Sequence, residues 1–136
     1  MTDFRRVTDE YSVAPQISPE DLAVAKEQGY VLVINNRPDG EDPSQPSSQV
    51  MEAAAKAEGL DYVYNPVRGG PGPEQVAAQA AAIDKSDGPV LAFCRSGTRS
   101  IVTWALGQEQ AGIRSKDELI QLGAAAGYDL APILGG

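Results

Sequence analysis

The chain has 136 residues, enough for one domain spanning 1–136 with a real hydrophobic core. Its formal charge of −8 argues against nucleic acid or an anionic membrane surface as the main partner. It holds no histidine, which removes Ser-His-Asp and Cys-His mechanisms and histidine-based metal sites, and its single cysteine cannot close an internal disulfide.

No apolar run approaches a membrane span, and the opening MTDFRRVTDEYS lacks the apolar stretch of a signal peptide, so a cytoplasmic protein is expected. Phe4 to Val7 and Tyr11 to Ala14 are predicted to pair as a small hairpin around Thr8-Asp9-Glu10. Ser18-Pro19-Glu20-Asp21 reads as a helix start, with Ser18 as N-cap and Pro19 at the first position, and Gly29 ends that helix. Tyr30 to Ile34 is an uncharged, β-branched run, the composition of a buried strand. A polar turn from Asn35 to Pro46 follows, and a second helix is predicted from about Ser47 to Glu58, with Gly59 as its stop. Tyr62 to Tyr64 is the next strand, and Asn65 to Gly72 is a loop. Pro73 opens an alanine-rich helix running to about Asp84. Ser115 reads as the N-cap of a late helix through Leu122, and Gly127 to Gly136 as a short, partly apolar tail.

Between these last two helices lies the stretch PVLAFCRSGTRSIVTWAL, Pro89 to Leu106. It reads as a strand, a tight loop from Cys94 to Arg99, and a helix opening at Ser100. Backbone amides curled into a helix N-terminus make an anion site, and Gly97 suits the sharp turn such a loop needs. Arg95 and Arg99 add positive charge, so Cys94 is expected to act as a thiolate nucleophile. Ser96, Thr98 and Ser100 complete the expected anion-binding loop. If this chain is an enzyme, Cys94 carries it, with no metal and no cofactor required.

Strands alternating with helices at this spacing imply an α/β fold with a mostly parallel central sheet flanked by helices. Ligands in such sheets collect at the carboxyl ends of strands. Arg37, Arg68 and Cys94 each follow a predicted strand, so Arg37 and Arg68 are candidate substrate contacts.

The loop resembles two families of cysteine enzymes. Cysteine-dependent phosphatases place the arginine after five intervening residues, usually with a histidine before the cysteine. Rhodanese-type sulfurtransferases use a loop one residue shorter, often with a preceding aromatic. Here four residues separate Cys94 from Arg99, and Phe93 precedes the cysteine. The loop therefore looks like that of a rhodanese, and a shorter amide ring fits a persulfide or small sulfur oxyanion better than a phosphate monoester.

The rest of the chain resembles something else. SPEDLAVAKEQG, VLVINNRP, AEGLDYVYNPV, GPEQVAAQAAAI and GPVLAFCRSGTRS together are similar to the phosphatase-like domain of the beta-lactamase hydrolase-like proteins, over roughly residues 3 to 110. That family is a bacterial relative of the dual-specificity phosphatases, found alone or fused to a metallo-beta-lactamase-type domain that acts on persulfides. The resemblance implies a cysteine-phosphatase-like fold of the dual-specificity type, with Cys94 as nucleophile, Arg99 as loop arginine and Arg95 to Thr98 as the amide cradle. It also implies a persulfide-processing metallo-beta-lactamase-type enzyme as a partner.

Phosphatases of this class place an aspartic acid on the loop after the strand corresponding to Tyr62 to Tyr64. That acid protonates the leaving alkoxide. Asn65 to Gly72 holds no carboxylate, although Asp39, Glu41 or Asp42 could substitute from the preceding loop. Sulfite leaves without protonation, so a sulfurtransferase needs no such acid. The first expectation is a sulfurtransferase that carries sulfane sulfur from thiosulfate or a persulfide on Cys94. The alternatives are a phosphatase with a phosphocysteine intermediate and a non-catalytic anion-binding module.

Overall fold

The computed structural model describes residues 3–135. A five-stranded sheet is built from β1 (Arg5–Arg6), β2 (Tyr11–Ala14), β3 (Leu32–Asn35), β4 (Asp61–Tyr64) and β5 (Val90–Phe93). Its spatial order is β1-β2-β5-β3-β4, parallel throughout except for β1, which pairs antiparallel with β2. The expected α/β sheet and the expected hairpin are both present.

Side-chain alternation along the central strands explains why both faces are covered. Leu32, Ile34, Val90 and Ala92 point to one face and pack with Ile101, Trp104, Ala105 and Leu119. Val33, Leu91 and Phe93 point to the other and meet Leu22, Ala25, Met51 and Ala55. A period-2 strand with apolar residues in both phases must be sandwiched, and helices supply both layers. On the second face lie α1 (Asp21–Glu27) and α2 (Ser48–Ala57). The first face carries α4 (Thr98–Gln110) and α5 (Lys116–Ala125), with Ile83 of α3 (Pro73–Lys85) packed against the same cluster. Tyr11 and Trp104 stack at the centre of that layer, ring centroids 5.4 Å apart. Among the described residues, no helix is long and apolar enough to cross a membrane.

Several boundaries differ from the sequence reading, among them the strand expected over Tyr30 to Ile34, which is Leu32–Asn35, and the late helix, which runs past Leu122 to Ala125. The first helix starts at Asp21 and not at Pro19, because the Asp21 carboxylate reaches back to the Ser18 amide at 2.9 Å and holds residues 18–20 in a turn. The fourth helix starts at Thr98, two residues before the expected Ser100, so Arg99 belongs to its first turn. The tail contains a short helix, α6 (Ala131–Leu134), with Leu130 and Leu134 buried in the first-face core.

Ala14, Phe93, Asn35 and Tyr64 are the last residues of four parallel strands and stand in register across the sheet. Their loops therefore leave from one edge, and the cysteine loop leaves from the middle of it.

Candidate active site

Cys94 follows directly on β5 and is fully buried. Gly97 has φ +91 and serves as the N-cap of α4, a backbone state that an L side chain adopts only at a cost. This turn brings the Gly97 amide back to the sulfur, where it donates to Sγ at 3.1 Å. The amides of Arg95 and Ser96 make no protein hydrogen bond among the described residues.

The carbonyls around this loop are tied outward, one after another. Arg95 O accepts from the Gln16 amide at 3.1 Å, and Gly97 O from the Ile101 amide at 3.0 Å. Ser96 O accepts from the Tyr128 hydroxyl at 2.8 Å, and Ser100 O from the Tyr11 hydroxyl at 2.8 Å. In the Arg95–Ser96 and Ser96–Gly97 peptides a carbonyl fixed outward presents the following N–H inward, which is how a short loop becomes an anion cradle. Burial pushes the Tyr11 hydroxyl well above the ordinary tyrosine range, against the smaller effect of its bond from Gln79. Tyr128 is likewise raised by burial. Both remain protonated donors at neutral pH.

Arg99 projects from the first turn of α4. Its Nη1 donates to Glu41 Oε2 and to the Val67 carbonyl, both at 2.8 Å, and its Nη2 donates to Glu41 Oε1 at 2.9 Å. A guanidinium has five N–H groups in two usable forks. Glu41 holds one fork, and the Nε–H with the second Nη2–H stays free among the described residues. The Glu41 hydrogen bond, and after it the neighbouring Cys94 sulfur, hold the Arg99 pKa above its ordinary value. A charged, oriented clamp beside a sulfur nucleophile is the result.

Arg37 lies elsewhere than expected. It is 5% exposed, and its Nε donates to Glu41 Oε1 at 3.0 Å and its Nη1 to Gln16 at 3.0 Å. It reaches the site through Glu41 and through Gln16, whose backbone amide holds the Arg95 carbonyl, and buried in that position it is a support for the carboxylate. Arg68 is exposed on the loop after β4, next to the Val67 carbonyl that anchors Arg99. Arg95 is exposed at the loop rim. Ser96 Oγ donates to Thr98 Oγ1 at 3.0 Å. Ser100 Oγ is buried without a hydrogen-bond partner among the described residues.

The carboxylates considered as substitute acids are all engaged. Glu41, gripped by Arg99 and Arg37, is held down at about 2. Asp39 Oδ1 accepts from the Ser48 amide at 2.7 Å, at the start of α2. Asp42 binds the Ser44 hydroxyl and amide, and its carboxyl is held below the usual range by them. Among the described residues, no group of three or more cysteine or carboxylate side chains is arranged to hold a metal ion.

Behind the loop lies a polar network that the sequence did not announce. Gln79 of α3 is fully buried and accepts from Asn36 and Asn65 Nδ2, both at 2.9 Å. It donates to Asn36 Oδ1 at 3.1 Å and to the Tyr11 hydroxyl at 3.0 Å. One amide side chain thus joins the residues that follow β3 and β4 to Tyr11 at the start of β2, whose hydroxyl in turn holds the first turn of α4.

Comparison with known proteins matches the sequence to a family. The model of the phosphatase-like domain of the beta-lactamase hydrolase-like proteins matches residues 3–111. A beta-lactamase hydrolase-like protein from Xylella fastidiosa is 36% identical over 125 residues, which are 91% of this chain and 29% of that protein. The chain thus spans less than a third of the curated relatives it matches. Among solved structures, a protein from Neisseria meningitidis described as a candidate phosphatase superposes with a TM-score of 0.85 at 27% identity, covering 99% of this chain and 95% of its own. Kinase associated phosphatase, solved with its catalytic-site cysteine replaced by serine, shares the fold with a TM-score of 0.69 at 14% identity, covering 93% of this chain and 85% of its own. The architecture is that of the cysteine phosphatases. These comparisons support the phosphatase alternative better than the sulfurtransferase expectation, which none of them names. The resemblance noted in the sequence holds over the matched span, and the chain belongs to the phosphatase-like domain family of the beta-lactamase hydrolase-like proteins.

Proposed function

We propose that this chain is a cysteine-dependent group-transfer enzyme whose Cys94 takes sulfane sulfur from a small anionic donor and passes it to a thiol. The kinship leans toward phosphate. What supports sulfur is the state of the acids: every carboxylate on the loop bearing Glu41 is engaged, and the loop after β4 has none before Glu74. An alkoxide leaving phosphorus needs a proton from such a group. Sulfite does not.

In the first half-reaction the Cys94 thiolate attacks the outer sulfur of thiosulfate. A new S–S bond forms, the old one breaks, and sulfite departs with the bonding electron pair. The Gly97 amide and the free fork of Arg99 stabilise the charge that moves from Sγ to the departing anion. An acceptor thiolate then attacks the outer sulfur of the Cys94 persulfide and releases Cys94 as thiolate. Both steps balance without a proton donor.

The second reading is a phosphatase, supported by the fold and by the family. There Cys94 attacks phosphorus, Arg99 binds two equatorial oxygens, and water hydrolyses the phosphocysteine. Intact mass of the protein after thiosulfate, set beside phosphate release from an aryl phosphate, separates the two. A gain of one sulfur at Cys94 with slow phosphate release is expected. Rapid phosphate release without a stable sulfur adduct overturns the sulfur reading in favour of the phosphatase.

A further inference from the structure

We propose that Tyr128, beyond the residues the family model matches, is a positioning residue that locks the Ser96–Gly97 peptide with its amide aimed at Cys94. The two ends of that one peptide unit are bound on opposite sides. Its carbonyl accepts from Tyr128 Oη at 2.8 Å, and its N–H donates to Cys94 Sγ at 3.1 Å. Rotating this unit end over end changes φ of Gly97, and glycine is the residue that tolerates both signs. The peptide that matters most to the sulfur is therefore the softest in the loop.

Tyr128 is built to hold it. A Cβ on Gly97 would stand 2.1 Å from the Tyr128 hydroxyl oxygen, so the two groups are as close as a glycine permits. The ring is 8% exposed and lies beneath the Arg5 guanidinium, 5.2 Å from the ring centroid. The Tyr128 amide donates to Gly123 O at 2.8 Å, which anchors its backbone to the end of α5. With the hydroxyl removed, the Ser96 carbonyl has no fixed partner, and the flipped peptide turns a carbonyl toward the site. Only the fraction with the amide inward then binds an anion.

The inference rests on Cys94 being the nucleophile of an anion site and not on which group Cys94 accepts. The test compares the full chain with Tyr128→Phe, which keeps the ring and the contact with Arg5. The Gly97 amide resonance is followed during titration with inorganic phosphate, beside the unfolding midpoint. Expected in the parent is one sharp Gly97 amide that shifts on phosphate addition. Expected in the variant is a broadened or doubled amide, phosphate binding weaker by roughly three- to ten-fold, and an unfolding midpoint near the parent's. A variant whose amide and affinity match the parent's overturns the role of Tyr128 and leaves the anion site standing. A loss of affinity that only follows the loss of folded protein also overturns it. If the parent's Gly97 amide ignores phosphate, the same comparison is run with sulfite, the smaller oxyanion, and a parent amide that ignores both anions overturns the anion-site reading, and the role of Tyr128 with it.

Discussion

Glu41 grips Arg99 with both carboxylate oxygens, at 2.8 Å and 2.9 Å, although 58 residues separate them in sequence. The same Oε1 also accepts from Arg37 at 3.0 Å. One carboxylate thereby sets the plane of the clamp arginine and neutralises a buried one. Glu41→Gln removes the charge and turns an amide donor toward two guanidinium groups. It should lower kcat/KM at least ten-fold and destabilise the fold by about 1–2 kcal/mol, since Arg37 is left buried without its counter-charge. The parent should also show an acid limb. Because Glu41 is depressed to about 2 in the fold, its contribution is complete above the ordinary carboxylate range, near 4.5, and is lost as pH falls toward 2. In Glu41→Gln that limb of the pH profile of stability should shrink to the part that Asp42 and other depressed carboxyls supply. An unchanged limb would place the titration elsewhere.

Cys94→Ser should abolish turnover and leave the unfolding midpoint close to the parent's. Serine retains an acceptor for the Gly97 amide but is a far weaker nucleophile without a base, and the chain has no histidine to provide one. Turnover and unfolding are to be measured on the same preparation. Activity surviving in the serine variant ends the cysteine mechanism.

How far the sequence carried this reading depends on the range of the interaction concerned. Cys94, Gly97 and Arg99 were legible because a strand, a tight loop and a helix start are local, and each has a residue signature. The sandwich was legible because Val33 and Leu91 are apolar where a one-sided sheet would place polar residues. Glu41 looked like a spare acid, since nothing near it in sequence reveals that two arginines converge on it. Arg37 reads as a candidate substrate contact for the same reason. Tyr128 sits 32 residues from Ser96, in a tail that reads as nondescript until α5 folds it back over the loop. Ser100 reads as the start of α4, two residues late, because Thr98 and Arg99 carry no helical periodicity. That error matters, since it hid the rigid seating of Arg99.

Gln79→Ala should reveal how much the polar network contributes. The substitution removes hydrogen bonds with Asn36, Asn65 and Tyr11 in a region closed to water. Asn36 keeps its bond to the Asn65 carbonyl, and Tyr11 keeps its bond to the Ser100 carbonyl. The net cost should be about 3 kcal/mol, a drop of roughly 10 °C in unfolding midpoint. Turnover per folded molecule should fall by much less than in Glu41→Gln, because the loop carbonyls stay bound. Equal losses of turnover would mean that the network tunes the nucleophile directly.

Loop length is the sharpest test of sulfur against phosphorus, and the start of α4 at Thr98 decides where to lengthen it. An insertion between Thr98 and Arg99 would fall inside the helix and swing Arg99 by about 100°, off both Glu41 and the Val67 carbonyl. A glycine inserted between Arg95 and Ser96 gives the five-residue spacing of the phosphatases while Arg99 keeps its helix position and its partner. If ring size selects the substrate, this variant should lose thiosulfate sulfurtransferase turnover and bind phosphate or vanadate more tightly. Phosphate-ester hydrolysis should still be slow, because no carboxyl is free to protonate the leaving group. Gly70→Asp supplies one on the loop after β4. Gly70 is the better host because it has open space and ordinary φ, whereas Gly69 sits at φ +68. The combined variant should gain about 10²-fold or more in aryl phosphate hydrolysis over the insertion alone, the usual scale of general acid catalysis. Circular dichroism and the unfolding midpoint establish that each variant is folded. A parent that already binds vanadate tightly and hydrolyses aryl phosphates well removes loop length as the discriminator, and a phosphate monoester then becomes the natural substrate of the Cys94 site.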